Sequence, residues 1–410
     1  MRILFITHHF QPEPNFFTGL PFAKELVRRG HEIEVLTGFP NYPGGKIYEG
    51  YRVQMLHRET LEGIPIIRVP LYPSHDGSSI KRVACYTSYA LSASTIGTLA
   101  IKKADVAYVG QGPATVGWPA FVLKVLRRIP YVFHIMDLWP DTLEATGMFS
   151  NKLGLWAVGQ WCKFVYWNAS KVIVYTPGVK EKLLQRGVPE EKMELIYNWC
   201  DDALICRDDK DQKLAASLGM KDKFNIVFAG NMGKAQAMDA VLNAAEILAG
   251  DYPEIQFVLI GGGVEVEHLK AIAAEKKLLN VLFLSHRSIA EIGPILRCAD
   301  VLLVHLRDEP LFRITIPSKT QAYMALGRPI LMGLKGDAAS LVEEAKAGLA
   351  CEPENPLSIA EAARKFYAMN QAGRQAMGEN GMRFYDSKLS FSIAVDRFEK
   401  IFEAAVRTNK

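Results

Sequence analysis

The sequence lacks the cysteine spacings that mark disulfide frameworks and zinc sites. Its 410 residues include six cysteines, and none of them forms a CxxC pair. We expect these cysteines to be reduced, mostly buried thiols of a cytosolic protein. His, Asp and Glu residues also form no cluster with the spacing of metal ligands, so no metal cofactor is expected.

The sequence also lacks a large net charge and the motifs of several enzyme classes. Its formal charge is +4, which is too small to predict nucleic-acid binding but suits an anionic ligand or membrane surface. No GxSxG motif supports a serine hydrolase. The stretch LIGGG, which ends at Gly263, does not continue into the GxGxxG fingerprint of dinucleotide sites. The first residues, MRILFITHHF, read as an apolar strand rather than a signal peptide.

One long stretch, from Val83 to Ile101, contains no charged residue. Its length allows a transmembrane helix, but many of its residues are Ser, Thr or Tyr, so insertion into lipid would be poorly driven. A buried or half-buried helix is the favoured interpretation. A membrane-surface helix is the second, because the flanking segments IKR and IKK are basic.

Apolar strand-like runs alternate with helix-like runs along the chain, and this pattern predicts an α/β fold. The length exceeds the roughly 250–300 residues of a single core, so two domains are expected. The strand-like runs are residues 2–7, 32–38, 64–72, 104–110, 131–137, 171–176 and 193–198, then 224–230, 255–263, 281–287, 299–306 and 329–334. Continuous apolar strands between helices are typical of doubly wound parallel sheets.

A polar segment from Cys200 to Lys213 is the predicted linker. We expect a first domain of residues 1–200, joined by the C-terminal helix near residues 388–410, and a second domain of residues 214–387. The two Rossmann-like domains should face each other across a cleft, with the ligand at the carboxyl ends of the strands. The Asp-x-Asp of DDKD, residues 208–211, lies in the linker, and we interpret it as solvated rather than metal-binding.

A strand–helix loop of the second half suits a phosphate. It contains Gly230, Asn231, Gly233 and Lys234, so backbone N–H groups and a cation can approach an anion there. The alternative is that these glycines only satisfy the geometry of the turn.

The stretch TIPSKTQAYMALGRPIL contains the second candidate anion site. Pro317 and Ser318 suit a helix start after a strand, with the serine as the cap. Lys319 then lies in the first turn, where a cation opposes the helix dipole. An anionic ligand at this end would be attracted by both, whereas the alternative is a solvated surface lysine.

Two strand ends of the first half are candidate site elements. The loop THHFQPEPNFFTGL brings Gly19 to a helix start, where it can approach a diphosphate. HIMDLWPD places His134, Asp137 and Asp141 at the end of another strand. A carboxylate there can act as an acid, a base or a sugar-hydroxyl acceptor. Alternatively, Asp137 caps a turn.

Six segments of the chain together resemble retaining glycosyltransferases of family 4, which have the GT-B fold of two Rossmann-like domains. The segments are GHEIEVLTGFPNYPGG, DLWPD, LIYNWCDD, FAGNMGKAQAMD, RCADVLLVHL and IPSKTQAYMALGRPIL. They look most like the branch of N-acetylfucosamine and colanic-acid-type transferases. The resemblance implies a UDP-linked sugar as donor, possibly an N-acetylated amino sugar, and a polyprenyl-diphosphate-linked sugar as acceptor at the cytoplasmic membrane face.

The resemblance also implies roles for individual residues. It gives Asp137, His134 and Lys319 as the catalytic group, with Asp137 and His134 on the acceptor side. The implied donor contacts are Gly19, Gly230, Asn231, Gly233, Lys234, Ser318, Lys319 and Tyr323. The base is either Asp137 or the leaving phosphate itself. The product would enter O-antigen, capsule or exopolysaccharide.

Three departures from the family pattern bear on this prediction. The two glutamates that most members carry eight positions apart correspond to Ile314 and Ala322. The usual Gly-Gly of the first loop is reduced to Gly19. The basic pair of the second-domain loop corresponds to Asn231 and Gln236, which leaves Lys234 nearby. Two alternative functions therefore remain open: a non-hydrolysing sugar-nucleotide epimerase and an inactive sugar-nucleotide-binding subunit.

Overall fold

A computed structural model describes residues 1–15, 17, 19–74, 79–110, 112–145, 147–149, 151–201, 205, 207 and 210–408. The chain divides into two compact units. The first unit consists of Met1–Tyr197 with Ala394–Lys410, and the second of Asn198–Ile393. Asp208 and Asp209 of the linker motif lie outside the described residues.

The first unit is built on an eight-stranded sheet in the order β3-β4-β2-β1-β5-β6-β7-β8. Its strands are β1 (Arg2–Thr7), β2 (Glu32–Gly38), β3 (His57–Leu61), β4 (Ile64–Val69), β5 (Val106–Gly110), β6 (Tyr131–His134), β7 (Lys171–Val174) and β8 (Met193–Leu195). Its helices are α1 (Leu20–Arg28), α2 (Ser79–Ser92), α3 (Thr98–Ala100), α4 (Gly117–Arg127), α5 (Asp141–Ala145), α6 (Lys152–Asn168) and α7 (Pro177–Gln185). Neighbouring strands are parallel except at the edge, where β3 runs antiparallel to β4.

The second unit is built on a six-stranded, all-parallel sheet in the order β11-β10-β9-β12-β13-β14. Its strands are β9 (Phe224–Ala229), β10 (Ile255–Ile260), β11 (Val281–Leu284), β12 (Val301–His305), β13 (Ile330–Gly333) and β14 (Gly348–Ala350). Its helices are α8 (Gln212–Ser217), α9 (Met238–Ala249), α10 (Val266–Glu275), α11 (Ile289–Arg297), α12 (Pro310–Arg313), α13 (Ser318–Ala325), α14 (Asp337–Glu344), α15 (Pro356–Ala368) and α16 (Gln371–Phe384).

The last helix, α17 (Phe391–Thr408), packs on the first unit through its apolar stripe. The Phe398 ring lies 4.9 Å from that of Phe22 in α1 and 5.6 Å from that of Tyr108 in β5, measured between centroids. Arg29, which follows α1, pairs with Asp396 and Glu399 of the same helix. These contacts explain why the chain returns to the first unit at its end.

The uncharged stretch 83–101 forms a half-buried helical segment, in agreement with the favoured expectation. It covers most of α2, a π-helical turn at Ala93–Gly97 and α3. Cys85, Tyr89 and Ala93 are buried, whereas Leu91 and Leu99 are exposed. Within the part of the chain that the structure describes, no helix is long and apolar enough to cross a membrane.

The cysteines of the described residues are free and buried, as expected. Burial raises the pKa of the Cys85 thiol to about 11 and that of Cys351 to about 12. These thiols are therefore protonated at neutral pH and unreactive. Cys206 lies outside the described residues.

Candidate functional site

Each sheet has a switch point at which ligands of doubly wound folds bind. In the first unit the chain builds the sheet outward from β1 through β2 and then returns to place β5 on the other side of β1. In the second unit it builds outward from β9 through β10 and β11 and then returns to place β12 beside β9. The loops that follow β1, β5, β9 and β12 are therefore the candidate site of each unit.

Lys319 lies at the switch point of the second unit. Its Nζ atom is 3.5 Å from the centroid of the Phe228 ring in β9. Among the residues that the structure describes, the ammonium group has no hydrogen-bond or ion-pair partner, and burial lowers its pKa to about 7. Binding of an anion next to a buried, unpaired lysine is favourable, because the anion stabilises the charged form of the lysine.

The start of α13 differs from the prediction in two ways. Pro317 occupies the position before the helix, and Ser318 is the first helical residue and makes no side-chain cap. The expected serine cap is therefore wrong, because the serine lies one position too far along the chain. The short helix α12 also separates β12 from α13, so Pro317 does not end a strand. Ser318 remains exposed at the helix start.

Glycines bring the backbone of two strand ends together beside Lys319. Gly230, Gly261 and Gly263 have φ angles of +136°, +139° and +142°, which other residues rarely adopt. A Cβ atom on Gly261 would lie 2.1 Å from the carbonyl oxygen of Gly230, and one on Gly230 would lie 2.9 Å from Cε of Lys319. A side chain at Gly230 or Gly261 would therefore meet neighbouring atoms too closely, so the backbone is accessible to a ligand at these strand ends.

The remaining predicted donor residues divide into exposed and buried groups. Asn231 and Lys234 are exposed in the loop after β9, and the Gly233 N–H donates to Oε1 of Gln236 at 2.9 Å. Tyr323 is buried, and its hydroxyl accepts the N–H of Ala229 at 3.1 Å. Burial also raises the pKa of Tyr323. Tyr323 thus stabilises the end of β9 through this hydrogen bond.

His305, which sequence reasoning missed, connects three loops of this edge. Its Nδ1 atom lies 2.7 Å from the carbonyl oxygen of Gln236, and its Nε2 atom lies 3.1 Å from the N–H of Glu354. Nδ1 must donate and Nε2 must accept, so the imidazole is neutral, and burial lowers its pKa. The only signal in the sequence is a histidine at the end of a buried strand.

The predicted residues of the loop after β1 are packed rather than open. Gly19 is buried, and a Cβ atom there would lie 2.0 Å from the carbonyl oxygen of Asn15. The first N–H of α1, that of Leu20, donates to Oε1 of Gln11 at 2.7 Å. The Gln11 side chain thus accepts the backbone N–H next to Gly19, and that N–H is not available to a ligand. In the same loop, sequence reasoning missed Glu13, a buried carboxylate bonded to His9.

The three candidates at the end of β6 lie in different surroundings. His134 is completely buried, lies 2.7 Å from the Tyr108 hydroxyl through Nδ1, and has its pKa lowered to about 3 by burial. Asp141 pairs with Lys182 and Arg186, and its pKa falls despite its partial burial because those cations bond to it. Asp137 is the exposed residue of the three, although desolvation of its carboxyl raises its pKa.

The described residues contain no group of three or more His, Cys, Asp or Glu that could hold a metal ion. The groups described at these strand ends are backbone N–H donors, Lys319, and the side chains of the loops after β1, β6 and β9.

Two family models match the chain, one for each unit. Residues 20–199 match the glycosyl transferase 4-like domain, and residues 223–369 match glycosyl transferases group 1. The chain is 24% identical to the probable glycosyltransferase WbjE of Pseudomonas aeruginosa over 63% of this chain and 65% of that one, just under two thirds of its length. It is 27% identical to the putative colanic acid biosynthesis glycosyl transferase WcaI of Escherichia coli over 80% of this chain and 82% of that one.

Solved structures share the fold over the whole chain. Sucrose-phosphate synthase of Thermosynechococcus elongatus has a TM-score of 0.71 at 16% identity and covers all of both chains. The Anabaena protein HepE, in complex with UDP and glucose, has a TM-score of 0.67 at 17% identity and covers 98% of this chain and 99% of its own. These similarities confirm the predicted architecture of two Rossmann-like units.

Proposed function

Because the chain is a glycosyltransferase composed of these two family domains, we propose that it transfers a sugar, with retention, from a nucleotide diphosphate to a polyprenyl-diphosphate-linked saccharide. The observation that carries the proposal is Lys319, whose ammonium group lacks an anionic partner among the described residues and lies over Phe228 at the switch point. This is the position for the diphosphate in such a fold. UDP is the proposed nucleotide, since the structurally similar HepE is in complex with UDP.

The reaction requires stabilisation of the negative charge that develops on the departing diphosphate. Lys319 supplies a positive charge in a poorly solvated site, where its effect is larger than in water. The bare backbone at Gly230 and Gly233 supports close approach of the phosphates, with Asn231 and Lys234 at the exposed rim and Ser318 at the helix start. Gly19 is proposed to contribute from the first unit, and Tyr323 to hold the end of β9.

Asp137 is the proposed acceptor-side carboxylate. It is exposed, and its raised pKa suits a group that exchanges hydrogen bonds with sugar hydroxyls. We leave His134 out of the proposed catalytic group, because it is completely buried beside Tyr108 and Phe398.

The first unit carries a surface that suits a lipid-linked acceptor. One exposed stripe of α6 contains Leu153, Trp156, Phe164 and Trp167, with exposed fractions of 73%, 62%, 40% and 49%. Exposed aromatic residues of this density are typical of interfaces with lipid or protein. The Trp118 ring of α4 lies 5.1 Å from that of Trp161, so the patch continues onto the next helix.

The charges around this surface favour an anionic membrane as its partner. Neither α4 nor α6 contains an Asp or Glu, whereas α4 contains Lys124 and Arg127 and α6 contains Lys152 and Lys163. Tryptophan beside basic residues is the composition of peripheral membrane-binding surfaces. We therefore propose peripheral attachment to the cytoplasmic membrane face through α4 and α6, rather than mainly through residues 83–101.

The names of the relatives support a role in bacterial surface-polysaccharide synthesis, such as O-antigen, capsule or exopolysaccharide. The resemblance to N-acetylfucosamine transferases adds an N-acetylated amino sugar as the first donor to try.

The test combines donor and acceptor. UDP-, GDP-, dTDP- and ADP-sugars are first ranked by thermal shift, since a ligand at about 100 times its Kd adds roughly 2.7 kcal/mol of stability. The best donor is then incubated with a polyprenyl-diphosphate-linked saccharide. The proposal expects nucleoside diphosphate release that depends on the acceptor, and an α-linkage retained from an α-donor by NMR. Donor conversion without acceptor, or inversion at the anomeric carbon, would contradict it.

A further inference from the structure

His9 and Glu13 form an imidazole–carboxylate pair in the loop after β1. Nδ1 of His9 lies 3.2 Å from Oε1 of Glu13. The Glu13 side chain is completely buried, whereas the His9 side chain remains 21% exposed. The pair thus joins a fixed internal carboxylate to a ring that reaches the surface.

The surroundings of Glu13 determine the orientation of the ring. Oε1 accepts the backbone N–H groups of Asn41 and Tyr42, each at 2.8 Å, and Oε2 accepts that of Phe10 at 3.2 Å. With backbone donors on both oxygens, the Glu13 carboxylate is the acceptor in its contact with His9. Nδ1 therefore carries the proton, and Nε2 of the neutral ring has a free lone pair. Among the described residues, no hydrogen-bond partner faces Nε2.

The position of the pair is that of a ligand site. His9 follows the carboxyl end of β1, and a Cβ atom on Gly112, just after β5, would lie 3.8 Å from Cδ2 of His9. The ring therefore lies between the two loops of the switch point of the first unit. The rings of His8 and Tyr42 pack against the His9 ring, with centroid distances of 4.5 Å and 4.8 Å.

We propose that His9, oriented by Glu13, takes the proton of the acceptor hydroxyl; this rests on the proposed function. The hydroxyl oxygen forms the new bond to the anomeric carbon of the donor sugar on the same face that the diphosphate leaves, so the configuration is retained. The bond from that carbon to the diphosphate oxygen breaks, and its electron pair leaves with the diphosphate. The hydroxyl proton passes to Nε2, Glu13 stabilises the imidazolium, and the proton then returns to solvent. In this assignment His9 is a catalytic residue, Glu13 is a positioning residue and Asp137 binds the acceptor.

The experiment uses the full chain with the donor and acceptor that the screen described above identifies, so wild-type turnover tests the proposed function before any variant is compared. His9→Ala should lower kcat by about 10²–10³, in the range of general base catalysis, while the Kd for UDP stays within threefold. Added imidazole should restore part of the lost kcat.

The matched control is a second His–Glu pair of the same unit. Nε2 of His31 lies 2.8 Å from Glu399, but His31 precedes β2 and so lies at the opposite edge of the sheet. His31→Asn should leave kcat unchanged. An active His9→Ala variant with kcat within fivefold of wild type, or one that imidazole does not rescue at any concentration, would overturn the assignment. A tenfold loss of UDP affinity would also overturn it, because His9 would then be a donor-binding group.

Discussion

The ammonium group of Lys319 lies 3.5 Å from the centre of the Phe228 ring, and the described part of the chain supplies no anion for it. The ring face offers a weak attraction that only partly replaces water, so burial lowers the lysine pKa to about 7. At neutral pH the free protein therefore holds this lysine about half in its neutral form. A bound diphosphate would restore the charge, and this coupling makes the site testable without turnover.

Binding of UDP is expected to take up a proton through Lys319. At pH 8 a group with a pKa near 7 is about one-tenth protonated, so a bound diphosphate that raises the pKa above 9 should draw about 0.8 proton per site. Calorimetry in two buffers of different ionisation enthalpy measures this number. Lys319→Met, which keeps the stem over Phe228, should abolish the uptake, weaken UDP binding by tenfold or more and lower kcat by about 10²–10³.

The control for this measurement is Lys270→Met, at an exposed lysine paired with Glu267. It should leave proton uptake unchanged.

The pH dependence of the free protein's stability gives an independent check that the pKa of Lys319 is lowered in the folded chain. The unfolded chain binds a proton at Lys319 between pH 7 and the ordinary lysine pKa, whereas the folded chain does not, so this group makes stability rise with pH in that window. An equal rise in Lys319→Met would refute the link to Lys319.

Gly261→Ala should damage the second unit, whereas Gly262→Ala should not. The new Cβ of Gly261→Ala would lie 2.1 Å from the Gly230 carbonyl oxygen, at a φ of +139°. Strain of this kind costs about 1–3 kcal/mol before the clash is added. A Cβ on Gly262 meets nothing within 4 Å, and surface changes of this type usually stay within about 0.5 kcal/mol. The unfolding temperature and the Kd for UDP are measured for both variants. Equal unfolding temperatures and equal UDP affinities of the two variants would contradict the close packing of Gly261 against Gly230.

Acidic substitutions on the α6 stripe should release the protein from anionic vesicles. Leu153→Glu combined with Trp156→Glu removes two exposed apolar side chains and adds two negative charges. Each inserted apolar side chain contributes about 1.5–3 kcal/mol at most, so a loss of binding of at least tenfold to phosphatidylglycerol vesicles is expected. Co-sedimentation measures the bound fraction. Leu279→Glu, at an equally apolar and 96% exposed position of the second unit, is the control. If wild type and the double variant sediment alike, α6 is not the membrane surface.

The sequence predicted the central strands well because their apolar runs are long and unbroken, as in β5 and β9. It missed β3, whose residues His57–Leu61 alternate in burial and contain four polar or charged side chains before Leu61, a composition that resembles a loop. It also missed β14, which has only the residues Gly348–Ala350. Edge strands are short and polar, so their sequence carries little periodicity.

The site was less accessible to sequence reasoning than the fold. The place of Lys319 in the first turn of a helix was predictable, and it attracts notice because a cation there conflicts with the helix dipole. The burial of His134 was not predictable, because successive residues at a strand end point to opposite faces, and the one at 134 faces α17 rather than solvent. The His9–Glu13 pair depends on Glu13 meeting the backbone of Asn41 and Tyr42, and a contact between distant loops leaves no local pattern.

UDP and dUDP should bind with affinities that differ by less than about tenfold. The family resemblance implies that a glutamate at the position of Ala322 accepts hydrogen bonds from the ribose hydroxyls, and a hydrogen bond to a charged group contributes about 1.5–3 kcal/mol. Here Ala322 is buried in α13, and Glu343 and Glu344 end α14, at the sheet edge opposite the strand ends. Glu309, at the start of α12 after β12, is the exposed carboxylate that could replace the glutamate. Side-by-side calorimetry of UDP and dUDP decides the matter. A stronger preference for UDP that disappears in Glu309→Gln would show that Glu309 holds the ribose, and the expectation from Ala322 would then be wrong.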